Sequence, residues 1–266
     1  MKEVHRDMIH SKAIFLDLDG TIIDHENNHI PKSTKRTIKA LQDAGHTVVI
    51  ATGRPPVLFY DIDTTLNIDT FIASNGRYVE HKGTVLHHDF IEKDVVKRFV
   101  SRMEKANIAV GFESNKRYAV TDPDDEMVKK FNAHFHLKRP EKDPTFHERE
   151  DVLQMVMFTD DHDTAELKKA FPALDFNVSC PYGVDINAQG GMKEIGMKVV
   201  CDYLNIACED TIAVGDGYND ITMVKQAGIG IAMGNACDAL KRVADIVTLP
   251  ASKDGIEAVF KQLKLI

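Results

Sequence analysis

The sequence uses cysteine sparingly and never in a metal-ligand pattern. Cys180, Cys201, Cys208 and Cys237 are the four in 266 residues. No two of them form a CxxC pair, which argues against a zinc array or a disulfide-stapled scaffold and for a reducing cytoplasm, with these cysteines mostly filling core. No apolar run approaches the ~18 residues that span a bilayer. The opening segment, MKEVHRDMIHSK, has no apolar stretch of the secretory kind. Positive charge is also in deficit: 33 basic residues face 41 acidic ones, for a net charge of −8. That field repels nucleic acid and anionic membrane, so an anionic ligand has to be held by a local site. The Gly-x-Gly-x-x-Gly turn of nicotinamide enzymes is missing too, since Gly228-x-Gly230…Gly234 has other spacing. Twelve histidines are scattered, and His87-His88 and His134-x-His136 read as surface residues rather than metal ligands. There is no internal repeat and no low-complexity tract.

What is present is a globular composition, 43% apolar and 28% charged. At ~150 residues per domain the length suits one large domain or two modest ones, with core enough to need no staples. The first segment alternates apolar runs with helical patterns. Residues 13–16 read as a buried strand, 31–44 as a helix capped by Ser33 or Thr34, and 47–51 and 71–74 as two more strands. This rhythm predicts a parallel sheet covered by helices. Near residue 77 it changes. A hairpin (77–80 and 84–87) leads to a helix over 92–105, strands near 108–113 and 117–121, and a helix over about 124–135. A polar connection over 138–151 follows, then strand, helix and strand at 152–158, 166–170 and 175–179. From about 190 the first rhythm returns: helix 192–204, strand 211–214, helix 219–227, strands 229–233 and 245–249, and a closing helix. The expected fold is α/β: a doubly wound parallel-sheet (Rossmann-like) core, residues 1–82 and 188–266, interrupted by an inserted α+β cap, residues 83–187.

Acidic residues stand where two apolar strands end. Asp17-Leu18-Asp19-Gly20-Thr21 follows the first strand, and Asp216 and Asp220 lie in Gly215-Asp216-Gly217-Tyr218-Asn219-Asp220. In open parallel sheets ligands bind outside the carboxyl ends of strands. Four carboxylates at one sheet edge repel unless a cation sits among them, and an all-oxygen set suits Mg2+. Singly, each aspartate reads better as a turn or helix cap, and it is the two clusters together that point to a cation. Thr52-Gly53-Arg54 offers a hydroxyl and amides to an anion. Lys193, behind Gly190-Gly191, puts a cation at a helix start, where a phosphate would also meet the helix dipole; alone, such a lysine is ordinarily just solvated.

Taken together and in order, Asp17-x-Asp19-Gly20-Thr21, Thr52-Gly53-Arg54, Lys193 and Gly215-Asp216-Gly217-x-Asn219-Asp220 resemble the four motifs of the haloacid-dehalogenase-like phosphohydrolase superfamily. Ser74-Asn75-Gly76, Met233-Gly234-Asn235-Ala236 and the position of the insert resemble its capped, Cof-type sugar-phosphatase branch. Glu194 stands where many relatives have glycine. The resemblance implies an Mg2+-dependent phosphatase of small phosphomonoesters, sugar phosphates or similar metabolites. Asp17 would be the nucleophile, forming an aspartyl-phosphate, and Asp19 the general acid and base. Asp17, the Asp19 carbonyl and Asp216 would hold the metal, supported by Asp220. Thr52, Lys193 and Asn219, with the Leu18 and Gly53 amides, would bind the phosphoryl oxygens. A phosphomutase on the same scaffold and a non-catalytic phosphate-ligand sensor are the alternatives. Arg117, Tyr118, Tyr182 and Asp185 are candidates to line the cap entrance, and Gly83 and Gly190-Gly191 candidate pivots. The sequence leaves the substrate and the oligomeric state open.

Overall fold

The structure, a computed structural model, describes residues 12–24, 29–58, 62–135, 137–190 and 192–266. The N-terminal segment through residue 11, His136 and Gly191 therefore lie outside the described residues. Two sheets organise the chain. The first half supplies β1 (Ala13–Leu16), α1 (Lys32–Asp43), β2 (Thr47–Ala51), α2 (Ile62–Leu66), β3 (Thr70–Ala73) and the hairpin β4 (Tyr78–His81) and β5 (Thr84–His88). The middle supplies α3 (Lys93–Lys105), β6 (Val110–Glu113), β7 (Tyr118–Val120), α4 (Glu126–His134), β8 (Glu141–Lys142) and α5 (Phe146–Arg149). It continues through β9 (Gln154–Phe158), α6 (Ala165–Ala170), β10 (Leu174–Cys180) and β11 (Gly183–Ala188). The last part holds α7 (Lys193–Leu204), β12 (Thr211–Gly215), α8 (Ile221–Gln226), β13 (Ile229–Ala232), α9 (Asp238–Lys241), β14 (Ile246–Val247) and α10 (Gly255–Gln262).

The eight-stranded sheet runs β14-β13-β12-β1-β2-β3-β4-β5. β1 pairs in parallel with β2 on one side and β12 on the other, Leu16 standing opposite Ile50 and Val214. Such central strands are covered on both faces, so β1 and β12 are buried throughout and read as unbroken apolar runs. Chain order reverses between β1 and β12, the switch point at which open α/β sheets bind ligands. This is the mixed α/β, Rossmann-like architecture the sequence predicts.

The six-stranded sheet runs β10-β11-β9-β6-β7-β8 and is antiparallel except for the β7–β8 pair. By proximity the chain divides into two compact units. One comprises Met1–Ala51, Asp63–Phe71 and Met197–Ile266; the other comprises Thr52–Ile62 and Ile72–Gly196.

Several local readings are corrected. Neither Ser33 nor Thr34 caps α1. Its N-cap is Pro31, and the Ser33 hydroxyl donates instead to Asp254 at the start of α10. The polar connection 138–151 contains β8 and α5, held by Asp143, which Arg117 and Arg149 both grip. The 245–249 strand shortens to two residues, and β11 had no counterpart in the sequence reading.

Candidate active site

β1 ends at Leu16, and the next amide, that of Asp17, still donates to the Val214 carbonyl of β12 at 3.0 Å. The parallel register thus carries the chain out of the sheet with Asp17 beside the end of β12. Residues 17–24 then fold back on themselves: the Ile22 amide donates to the Asp17 carbonyl, Ile23 to Leu18 and Gly20 to Ile23. Gly20 takes φ +79°, a left-handed conformation that glycine adopts without cost to a side chain. Asp17 is buried and Asp19 partly exposed.

On the neighbouring strand, Asp216 leaves β12 and a one-turn helix, Tyr218–Asp220, brings Asp220 back. The buried Asp220 carboxylate accepts from the Asp216 amide at 3.0 Å and the Gly217 amide at 2.9 Å. Gly215 is required by this return, because a Cβ there would sit 2.4 Å from Asp220 Cγ. Carboxylate oxygens of Asp17, Asp216 and Asp220 come within 4.8 Å of one another. The Asp19 carboxylate is not one of the three.

A residue absent from the sequence-derived site set ties the two loops together. Asn235, in the turn after β13, donates through Nδ2 to the Gly20 carbonyl at 2.9 Å and to Asp216 Oδ2 at 3.0 Å. Its Oδ1 accepts from the Ala251 amide. One side chain therefore fixes the loop over residues 17–24 against the carboxylate cluster. Met233-Gly234-Asn235-Ala236 was visible as a motif, but asparagine in a turn carries no chemical signal of its own.

The predicted anion-binding residues are placed by the second unit. Thr52 is buried just past β2, where its Oγ1 accepts from the Arg54 amide at 3.0 Å. The Asn75 amide donates to the Thr52 carbonyl, and the Asn75 side chain stands beside Gly53. Ser74, Asn75 and Gly76 all have positive φ. This turn packs against the start of α7 so tightly that a Cβ on Gly76 would lie 2.3 Å from the Met192 carbonyl, and one on Gly196 would lie 2.4 Å from Ile72. The small residue that this packing demands of α7 is Gly196, and Glu194 is accommodated. Lys193, the first residue of α7, is wholly buried. Asn219 lies exposed in the turn before Asp220.

Of the cap-entrance candidates, Arg117 is committed to structure, paired with Glu141, Asp143 and Glu150, which hold its guanidinium charged. Tyr118 and Tyr182 pack on the apolar cluster around Phe131 and Phe158. Asp185 accepts from Ser179, and burial raises its carboxyl to about 7. Cys180 and Cys201 are buried. No helix among the described residues is long and apolar enough to cross a membrane.

Comparison with known proteins extends over nearly the whole chain. A family profile described as haloacid dehalogenase-like hydrolase matches residues 14–260. The chain is 36% identical over 256 residues to YkrA of Bacillus subtilis (strain 168), covering 96% of this chain and 99% of that one. Among solved structures, a hypothetical protein from Geobacillus kaustophilus HTA426 superposes with TM-score 0.92 at 33% identity, covering 97% and 100% of the two chains. The subclass IIB sugar phosphatase BT4131 superposes with TM-score 0.82 at 32% identity, covering 96% and 100%.

Proposed function

The chain belongs to the haloacid dehalogenase-like hydrolases and is a phosphoric monoester hydrolase, and from that premise we propose that it is an Mg2+-dependent phosphatase of small phosphorylated metabolites, sugar phosphates among them. The observation that carries this reading is the Asp17–Asp216–Asp220 cluster at the switch point of the sheet. Three mutually repelling, largely buried carboxylates fit a hard divalent cation with oxygen ligands. Asp17, Asp216 and Asp220, with the Asp19 main-chain carbonyl, would hold Mg2+, which when bound neutralises charge on the phosphoryl oxygens.

The chain's own groups carry the steps. Asp17 attacks phosphorus to form an aspartyl-phosphate, and the leaving alcohol takes its proton from Asp19. Asp19, now a base, takes a proton from water as that water attacks the aspartyl-phosphate. Phosphate leaves and Asp17 is regenerated. Thr52, Lys193 and Asn219, with the Leu18 and Gly53 amides, hold the phosphoryl oxygens through transfer, which asks mainly for alignment and charge stabilisation. Residues 1–82 and 188–266 form the catalytic core in this reading, and residues 83–187 a cap acting as a lid. Small metabolite esters are then far better substrates than folded phosphoproteins.

The test is acid-quenched trapping of labelled phosphate from a phosphoester. Asp17→Asn should give no phosphoenzyme and no turnover. Asp19→Asn should still bind substrate while turnover falls by roughly 10²–10⁴. Equal, mild defects in the two variants would refute the assignment, and an isomerised sugar phosphate in place of free phosphate would identify a mutase.

A further inference from the structure

Among the described residues two lysine or arginine side chains are buried, Lys193 and Arg77. Lys193 is assigned to phosphate, whereas Arg77 has no role in the transfer steps. It stands between the Ser74–Gly76 turn and β4, 2% exposed. Burial pulls its pKa below the ordinary arginine value, and the carboxylates of Asp175 and Asp89 act against that. The guanidinium is charged all the same, and a buried charge persists only where acceptors meet it.

Those acceptors come from separate parts of the chain. Arg77 Nη1 donates to the Ser74 carbonyl at 3.4 Å. Nη2 donates to the Ala188 carbonyl at the end of β11 and pairs with Asp175 Oδ2 of β10 at 3.5 Å. The same Asp175 oxygen accepts from the Gly190 amide at 2.8 Å. The Arg77 carbonyl accepts from the Asp89 amide, just past β5, at 2.7 Å. The chain enters the insert through Asp89 and returns through residues 188–190, so one residue holds both passages. What it holds leads to the phosphate groups on either side. Lys193, three residues after Gly190, opens α7. The Ser74 and Asn75 amides donate to the Arg54 and Thr52 carbonyls at 3.0 and 3.1 Å. Arg77 is thus the charged contact that sets the segment leading to Lys193 against the turn bonded to Thr52.

We propose that Arg77 is a positioning residue for phosphoryl binding: by gripping Ser74, Ala188 and Asp175 together it fixes the start of α7, and with it Lys193, against the Ser74–Gly76 turn and Thr52. A planar guanidinium with several fixed donors suits three converging acceptors, whereas an ammonium presents a single point of charge. Alignment is what phosphoryl transfer asks of these groups, and a displacement of about 1 Å costs on the order of 10²-fold in rate. The proposal rests on the phosphatase reading for its choice of ligand. Arg77, Thr52 and Lys193 belong to one compact unit, and Asp17, Asp216 and Asp220 to the other. Loss of Arg77 should therefore lower phosphate affinity and spare metal affinity.

The experiment compares the full chain with Arg77→Met, Arg77→Lys and Asp175→Asn, the last removing only the charge of a partly exposed partner in case Arg77→Met does not fold. Calorimetry with inorganic phosphate at saturating Mg2+ should show Kd raised about tenfold in Arg77→Met, less in Arg77→Lys and in Asp175→Asn. Hydrolysis of p-nitrophenyl phosphate should lose about 10²-fold in kcat/KM in Arg77→Met, partly restored in Arg77→Lys. The Mg2+ concentration for half-maximal stabilisation should stay within twofold of wild type in all three. Hydrogen exchange should quicken at the Gly190 amide and over the first turn of α7, and stay unchanged in β1 and β12. Phosphate affinity and kcat/KM within twofold of wild type, Arg77→Lys no better than Arg77→Met, or Mg2+ affinity falling as far as phosphate affinity would overturn the proposal. A wild type that neither binds nor releases phosphate would overturn the phosphatase reading instead, and hydrogen exchange would then decide this one: unchanged protection at Gly190 and the start of α7 refutes it.

Discussion

Replacing Asp220 by asparagine should stabilise the metal-free protein and blunt its response to divalent metal. In chelator, the carboxylates of Asp17, Asp216 and Asp220 approach within 4.8 Å. At that separation and an effective dielectric near 20, each pair repels by about 3 kcal/mol before salt screening. Asp220→Asn removes two of the three pairs. It keeps an oxygen able to accept from the Asp216 and Gly217 amides. Those bonds lose their charge assistance, a cost of about 1 kcal/mol each. The metal-free variant should therefore be more stable than wild type by about 1–4 kcal/mol. For a protein of this size each kcal/mol corresponds to about 2–4 °C in Tm. With Mg2+ at a hundred times its Kd, wild type gains about 2.7 kcal/mol by mass action and the variant far less, so the advantage shrinks or reverses. Urea unfolding in EDTA and in Mg2+ reads both arms. A variant less stable than wild type in EDTA, or one gaining as much from Mg2+, would refute the cluster as a cation site.

Other perturbations test separate parts. Gly76→Ala, at φ +93° and with Met192 O in the way, should destabilise by more than about 2 kcal/mol, whereas Gly83→Ala, at φ +76° in open space, should cost about 1 kcal/mol; denaturant midpoints compare them. Asn235→Ala should lower kcat while phosphoenzyme still forms, because it unties Gly20 from Asp216; wild-type kcat would remove that role. Asp185, raised to about 7, is protonated in the folded protein after the unfolded chain has ionised. Stability should thus be intact below the ordinary carboxylate range and fall as pH climbs through 7, by at most about 4 kcal/mol. Asp185→Asn should flatten that slope in chemical denaturation against pH.

The sequence was most legible where burial is complete on both sides. Ala13–Leu16 and Thr211–Val214 read as strands because nothing polar interrupts them, and the aspartates that follow then had to lie at the sheet edge. Where polarity is turned inward, pattern reading failed. β11 alternates Val184 and Ile186 with Asp185 and Asn187, which mimics a solvated strand face, yet Asn187 is fully buried. α5 and β8 were hidden because they are short: α5 buries a single apolar side chain, Phe146, and the ion pairs of Asp143 with Arg117 and Arg149 leave no apolar pattern to read. Asn235 was missed as a site residue because its partners lie far away in sequence and only the fold brings them together.

The pairing of β1 with β12 has a consequence for synthesis. Ala13 faces Thr211, so the strand that leads into Asp17 emerges from the ribosome roughly 200 residues before its neighbour, a long-range closure of the kind that slows folding. At about 5–20 residues per second that is an interval of roughly 10–40 s. The six-stranded sheet, by contrast, draws all its strands from residues between Val110 and Ala188 and can be completed while β1 still lacks one flank. During that interval the nascent chain displays a fully apolar strand with an open edge, and the carboxylate triad does not yet exist. The three carboxylates are therefore brought together only after Asp220 has been made, and any truncation before Thr211 should yield a chain with a finished insert and no such cluster.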